Sequence, residues 1–322
     1  MSMKRLCAIA LTMAALHPPA AGAADAFPSR PLRIVVGFTP GTTTDITARL
    51  LADRLSSELG QSVIVENRPG ANSGLANQLV ASATPDGHTM LIGTLSLVTA
   101  PMLYRSVPFD PDALAPVSLV VTAANVICVY PGLPAKSLAE LIEMAKKQPG
   151  KLRYGSSGRG SSAFLTLELL KSMAGIDLQE IPYKATSQAV ADTMAGQIEI
   201  YPPNIVSAFP MLKTGRLRAL AVTSAKRSQA LPDVPAVSEA VPGYDATTGI
   251  YGILVPLATP KPIVARLSRA IINVAKSGDF KERMLRDGGE VVGTTPEQYG
   301  AYLAQQRDKW GRLFNRLGIK PD

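Results

Sequence analysis

The chain has 322 residues, of which 46% are apolar, 18% charged and 5% aromatic, with a formal net charge of +8. At roughly 100–200 residues per domain this is enough for two packed domains, and the composition excludes a disordered, coiled-coil or disulfide-stapled chain. No run of basic residues is longer than two. The positive balance therefore reads as a soluble surface with a mild preference for anions, not as a nucleic-acid tail.

Residues 1–23 have the layout of a secretory signal peptide. Lys4 and Arg5 precede an apolar stretch from Leu6 to Leu16, and Ala21-Gly22-Ala23 is a small-x-small cleavage site. Ala24-Asp25-Ala26 is a second candidate. The apolar stretch is shorter than the about 20 residues a spanning helix needs, although an N-terminal anchor helix is the alternative. Cleavage after Ala23 or Ala26 removes Cys7 and His17, leaving one cysteine, Cys128, and one histidine, His88. A lone cysteine forms no internal disulfide. The two residues together fall short of the about four ligands of a structural zinc site. A Ser-His-acid triad would have to use His88, which the sequence places on an exposed turn, Pro85-Asp86-Gly87-His88. Cys128 sits in an apolar strand and reads as a small buried hydrophobe. There is no GxSxG, GxxxxGK[ST] or HExxH. The expectation is a chain with no metal, no cofactor and no catalytic residues.

Next comes an alternation of strands and helices. A buried-type strand over 32–38 meets a turn-rich loop, 39–45. A helix over 46–59 follows, with Leu51, Leu55 and Leu59 on one face, Gly60 as its stop and Thr44 or Asp45 as N-cap. Strands are predicted over 63–65 and 90–93, with helices over 74–83 and 98–104. Strand-like runs cover 116–121 and 125–130. Ser137 and Glu140 form a capping box opening a helix to Lys147. Then strands over 152–154, 179–181, 198–200 and 217–222 alternate with helices over 161–174, 187–195 and 205–213. A strand over 249–254 leads to a helical tail over 263–276, 280–286 and from Pro296, with Thr295 as N-cap. The pattern predicts an α/β fold with mostly parallel sheets. Three tail helices make no domain, so the tail is expected to pack back on the first half. Residues 24–123 plus 246–322 would form one lobe and 124–245 the other, with a cleft between them.

Two loops share one design. Phe38-Thr39-Pro40-Gly41-Thr42-Thr43-Thr44-Asp45 and Tyr154-Gly155-Ser156-Ser157-Gly158-Arg159-Gly160-Ser161-Ser162 each join a strand's carboxyl end to a helix's amino end. That is where open α/β sheets bind ligands. Glycine permits close backbone approach, helix N–H groups point outward, and the helix dipole adds about half a positive charge. Such loops suit a carboxylate or phosphate, and one per lobe could grip an acid from both sides. Alone, each loop is equally a turn with an N-cap. Gly158-Arg159-Gly160-Ser161-Ser162-Ala163 also matches the dinucleotide pattern G-x-G-x-x-A, with Glu180 as ribose acid. Its mid-chain position, the export signal and Glu180's place at the start of its strand weigh against that reading.

Pro31 to Asp45 resembles the start of the solute receptors of tripartite tricarboxylate transporters, the Bug or TctC family. Val65-Glu66-Asn67-Arg68-Pro69-Gly70-Ala71, Ala83-Thr84-Pro85-Asp86-Gly87, Pro182-Tyr183-Lys184, Ala195-Gly196-Gln197, Leu217 to Thr223 and Leu231-Pro232-Asp233-Val234-Pro235 fit the same family in order. The resemblance implies a two-lobed fold like type II periplasmic binding proteins. It also implies a periplasmic, non-enzymatic, monomeric receptor that delivers a small carboxylic acid to a membrane permease and binds no nucleic acid. An exported carboxylate sensor or an exported α/β enzyme are the alternatives. By carry-over, Thr39, Pro40, Gly41, Thr42, Thr43, Thr44 and Asp45 hold the ligand from one lobe. Ser156, Ser157, Gly158, Arg159, Gly160, Ser161 and Ser162 hold it from the other. Thr94, Ser96, Ala163, Tyr183, Ala185 and Tyr201 complete the lining. Three departures bear on specificity. Ala163-Phe164 stands where histidine is frequent. Tyr201-Pro202-Pro203-Asn204 lacks an acid that could hold an amino group. Arg159 could pair with a second ligand carboxylate or point to solvent.

Overall fold

The computed structural model describes residues 27–321 other than 287 and 317, so the signal-peptide reading and both cleavage positions lie outside the described residues. The first run is β1 (Leu32–Val36), α1 (Thr43–Leu59), β2 (Val63–Asn67), α2 (Gly74–Ala81), β3 (Thr89–Gly93), α3 (Ser96–Leu103) and β4 (Leu114–Ala123). The second is β5 (Val126–Val129), α4 (Leu138–Lys147), β6 (Arg153–Ser156), α5 (Ser162–Ala174), β7 (Gln179–Pro182), α6 (Thr186–Met194), β8 (Ile200–Tyr201), α7 (Ile205–Lys213), β9 (Arg218–Val222) and α8 (Val237–Ala240). The chain ends with β10 (Gly249–Pro256), α9 (Lys261–Lys276), α10 (Gly278–Arg286), β11 (Gly289–Val291) and α11 (Pro296–Arg316).

The strands form a six-stranded sheet, β11-β4-β10-β3-β1-β2, and a five-stranded sheet, β7-β6-β8-β5-β9. β1 lies parallel to β2 and β3, and β6 parallel to β7 and β8, as helical crossovers require. β10 and β5 carry the chain across between the sheets without a helix at the crossing, and both lie antiparallel to their neighbours. Even so, β1 to β4 share one direction in the first sheet, and β6 to β9 share one in the second.

Side-chain alternation along β1 explains the two layers of the first core. Ile34 and Val36 pack with Leu51 and Leu55 of α1 and Leu267 and Ile271 of α9. Val35, on the opposite face, packs with Leu103 of α3 and with Trp310 and Phe314 of α11. The tail thus covers both faces of the first sheet. Each fully buried Leu or Ile contributes about 1.5–3 kcal/mol. The second core is built on Ile127, Val129, Tyr154 and Ile200, covered by Leu141 of α4 and Leu167 and Leu170 of α5.

Local details depart from the sequence reading in four places. α1 starts at Thr43, with Thr42 as N-cap accepting the Asp45 N–H at 3.5 Å, because the Asp45 carboxylate is engaged elsewhere. In α4, Ser137 accepts from the Glu140 N–H at 3.2 Å, but the Glu140 carboxylate reaches back one residue further, to the Lys136 N–H at 2.7 Å. β11 has only three residues and pairs with β4 at the sheet edge, too short for a periodic signal. His88 is buried, not exposed, with its ring edge-on to Phe27 at 5.0 Å between centroids. The N-terminal segment covers the turn that the sequence left open. Cys128 is buried in β5, as expected, and desolvation pushes its thiol well above the usual range.

Candidate functional site

The amino ends of α1 and α5 face one cavity between the two sheets. Thr42, Thr43 and Thr44 line it from the first, and Ser157, Ser161, Ser162 and Ala163 from the second. The first N–H groups of a helix have no intrahelical partner, so both ends present donors and positive dipole. In α5, Ser161 is the N-cap and accepts the Phe164 N–H at 3.3 Å. Thr94 and Ser96, hydrogen-bonded to each other at 2.9 Å, line the cavity from the start of α3. Tyr201 closes another wall. None of the lining residues is Asp, Glu, Lys, Arg or His. The cavity can hold an anion through dipoles, N–H groups and hydroxyls, with no ionic partner.

The expected site residues divide into three groups. Thr42, Thr43, Thr44, Thr94, Ser96, Ser157, Ser161, Ser162, Ala163 and Tyr201 meet at this inner cavity. Thr39, Gly158, Tyr183 and Ala185 line a larger outer chamber instead, and Ser157 also reaches it. Pro40, Gly41, Asp45, Ser156, Arg159 and Gly160 line neither chamber.

The third group holds the loops in place. Asp45 accepts the Gly41 N–H at 3.0 Å, the Asn67 amide at 2.9 Å and Arg49 Nε at 3.0 Å. Burial pushes its carboxyl up, but these donors more than offset that and hold it below the usual carboxylate range. Pro40 and Gly41 form the exposed turn so pinned. Ser156 Oγ donates to Glu180 and accepts the Gly158 N–H at 2.8 Å, so it faces into its own lobe. Burial raises the Glu180 carboxyl, opposed by the Ser156 hydroxyl and the Arg159 charge. Glu180 is thus a partner of the loop's own serine, which removes it as a ribose acid. Arg159 acts on Glu180 and does not line the inner cavity; the sequence allows either pairing with a ligand carboxylate or pointing to solvent. Its carbonyl accepts from Tyr104 Oη at 3.1 Å and from the Asn72 amide at 3.3 Å. The Gly160 carbonyl accepts from Thr99 Oγ1 at 2.9 Å. Three side chains from the first sheet's side therefore latch onto the second loop.

Sequence reading missed Asn72, Thr248 and Tyr251, which also line the inner cavity, and named Asn204, another lining residue, only within a specificity segment. Asn72 lies in a run of three non-glycine residues with positive φ, Ala71 to Ser73. Such strain is stored at functional sites. Its buried side-chain oxygen has no partner among the described residues and suits a bridging water or a ligand hydroxyl. Asn204, the N-cap of α7, bonds Asn125 and Tyr251, and Ser162 bonds Asn125 and Thr248. Asn125 is fully buried where the chain first crosses between sheets, and also donates to Thr166 at 2.9 Å. Asn204 had a local signal, a strand end followed by a helix. Thr248 and Tyr251 had none, because the returning strand brings them.

Comparison with known proteins agrees with this geometry. The model of the tripartite tricarboxylate transporter family receptor, TctC, matches residues 47–319. Rpa4515 of R. palustris, solved with adipate, is 34% identical, covering 92% of this chain and 100% of that one, with a TM-score of 0.89. The periplasmic binding protein BugD is 33% identical over 92% of this chain and 100% of its own, with a TM-score of 0.87. MatC from Rhodopseudomonas palustris, with bound malate, is 30% identical over 89% and 99%, with a TM-score of 0.83.

Proposed function

The chain belongs to the tripartite tricarboxylate transporter receptor family, TctC, and from that premise we propose that it is a periplasmic receptor for a small carboxylic acid. The acid is seated between two lobes, residues 24–123 with 246–322 and residues 124–245. It is held as a monomeric complex and handed to the membrane permease of the transporter without being chemically changed. The export signal of residues 1–23, cut after Ala23 or Ala26, delivers the chain to that compartment.

One observation carries this reading: two helix amino ends from opposite lobes converge, with serine and threonine hydroxyls, on a cavity lined by no charged side chain. A carboxylate satisfies those donors and the dipoles together. Its carrying relatives are the adipate-bound Rpa4515 and malate-bound MatC. In this reading Thr42 to Thr44 and Ser161 to Ala163 supply N–H groups and hydroxyls to the carboxylate. Thr94, Ser96 and Tyr201 shape the walls. Asp45, Ser156 and Gly160 fix the loops.

The test is a thermal-shift screen of the chain from Ala24 against small carboxylic acids, with mass spectrometry of each acid afterwards. A ligand at 100 times its Kd adds about 2.7 kcal/mol, a rise of roughly 4–8 °C for a chain this size. A shift with the acid recovered intact is the expected result. Recovery of a converted product, or silence from every acid with folded protein, would sink the reading.

A further inference from the structure

The inner face of α9 (Lys261–Lys276) packs into the first core through Ile263, Leu267, Ile271 and Val274. Its outer face carries Lys261, Arg266, Arg269 and Lys276, all exposed, and the helix contains no acidic residue. At about 100° and 1.5 Å per residue, the four cations fall within about 140° of arc and span about 22 Å. The other multiply charged helices, α1, α4, α10 and α11, each mix both signs.

The fold does not account for most of this charge. Among the described residues, none of the four side chains makes an ion pair or a hydrogen bond. Lys261 opens the helix, where the positive end of the dipole disfavours a cation, and only Lys276, in the last turn, suits it. Arg266 and Arg269 are three residues apart, so their like charges repel. Acids on the neighbouring helices have other partners. Arg54 pairs with Asp279 at 2.6 Å and with Asp53 at 3.7 Å, and Glu58 accepts the Asn273 amide at 2.8 Å. Glu282 of α10 forms no ion pair with α9. Arg266 and Arg269 also line a groove of about 300 Å³ against Glu58 and Leu59, in the last turn of α1.

We propose that the outer face of α9 is a docking surface for an extended acidic segment of a protein partner. Forked guanidiniums at one groove suit carboxylate side chains. A strand rising about 3.3 Å per residue covers the row of cations in about seven residues. The other exposed residues of α9 are Pro262, Ala265 and Asn273, so no large apolar side chain stands ready to enter a bilayer. The groove lies at the far end of α1 from the cavity, about 24 Å along the helix. The docking surface is therefore independent of the receptor reading and of the acid held in the cavity.

Fluorescence anisotropy of a labelled peptide of seven glutamates, at low ionic strength, tests it. Three chains are compared: wild type, an α9 variant with Lys261→Gln, Arg266→Gln and Arg269→Gln, and a control with Lys136→Gln, Lys147→Gln and Lys151→Gln. The control residues are exposed and remove the same charge from the other sheet's side. Wild type should bind the peptide saturably, the α9 variant about tenfold more weakly, and the control within about twofold of wild type. The α9 variant should melt no lower than wild type, because the lost charges have no partner in the fold. Equal losses in both variants, or no saturable binding by wild type, would overturn the proposal. So would a lowered melting temperature of the α9 variant, which would give the cations a role in the fold. Binding of wild type to phosphatidylglycerol vesicles but not to the peptide would assign the face to a lipid surface and overturn it too.

Discussion

Asp45, buried, and Glu180, half-buried, are carboxylates with opposite pH signatures. Asp45 has a folded pKa below its ordinary 3.8. Its contribution is present above that value and is lost as pH falls through the lowered folded one. Asp45→Asn removes charge-assisted bonds to the Gly41 turn and to Asn67. Bonds to charged groups are worth about 1.5–3 kcal/mol, so a loss of about 2 kcal/mol is expected in urea unfolding at pH 7. The gap from wild type should narrow as pH falls below the ordinary 3.8. A constant gap across that range would show that the carboxylate charge is irrelevant. Glu180 is the reverse case, with its folded pKa raised above 4.5 chiefly by burial. Its ionised form is disfavoured in the folded chain, so stability falls as pH rises through the window above 4.5. Glu180→Gln should match wild type near pH 4 and equal or exceed it at pH 7. A variant less stable than wild type only at pH 7 refutes that assignment.

At the scale of elements, the site is a meeting of helix ends. Thr42 caps α1, and capping threonines are worth about 1 kcal/mol. Thr42→Ala should lower stability by that amount and weaken acid binding, because the cap holds the first-turn N–H groups toward the cavity. The absence of ionisable acid-pairing groups from the inner lining predicts a flat pH profile. Burial pushes Tyr201 and Tyr251 far above neutrality, so neither titrates near it. The Kd of a fully ionised acid should stay within about twofold between pH 6.5 and 8.5, a window of 2.7 kcal/mol per two pKa units in which one titrating partner would show plainly. A tenfold change by calorimetry would mean that a charged side chain binds the acid. Gly160 sits at φ +78°, and an added Cβ would come within 2.7 Å of Leu103 Cδ1. The second loop therefore needs glycine where it docks on α3.

For the whole molecule, the decisive feature is how the two sheets are held. Thr99, Tyr104 and Asn72 donate to the carbonyls of residues 159 and 160 across the cleft. A net hydrogen bond is worth about 0.5–1.5 kcal/mol. Tyr104→Phe should therefore weaken acid binding by about two- to tenfold. Small-angle scattering should show a more expanded molecule at equal ligand concentration. Unchanged affinity and dimensions would mean that this latch does not govern closure. Asn125 links the crossing segment to Ser162 and Asn204, so the cavity walls and the chain crossing share one buried network.

Sequence alone determined the elements and the family resemblance. β1, α1, α5 and α7 were legible because hydrophobic period, caps and glycine stops act over a few residues. The two loops were legible because strand-to-helix turns rich in threonine, serine and glycine make anion-binding ends locally. Which loop residues line the cavity was not legible. Asp45 and Ser156 have the right chemistry for contact, but partners distant in sequence, Asn67 and Glu180, engage their side chains, and Arg159 lines neither chamber. His88 was misread as exposed because Phe27 lies 61 positions away. Asn72, Thr248 and Tyr251 reach the cavity only when strands from both ends of the chain enter one sheet. Hydrogen-bond partners and burial belong to tertiary neighbours, and those are decided only when the chain crosses twice between its two sheets.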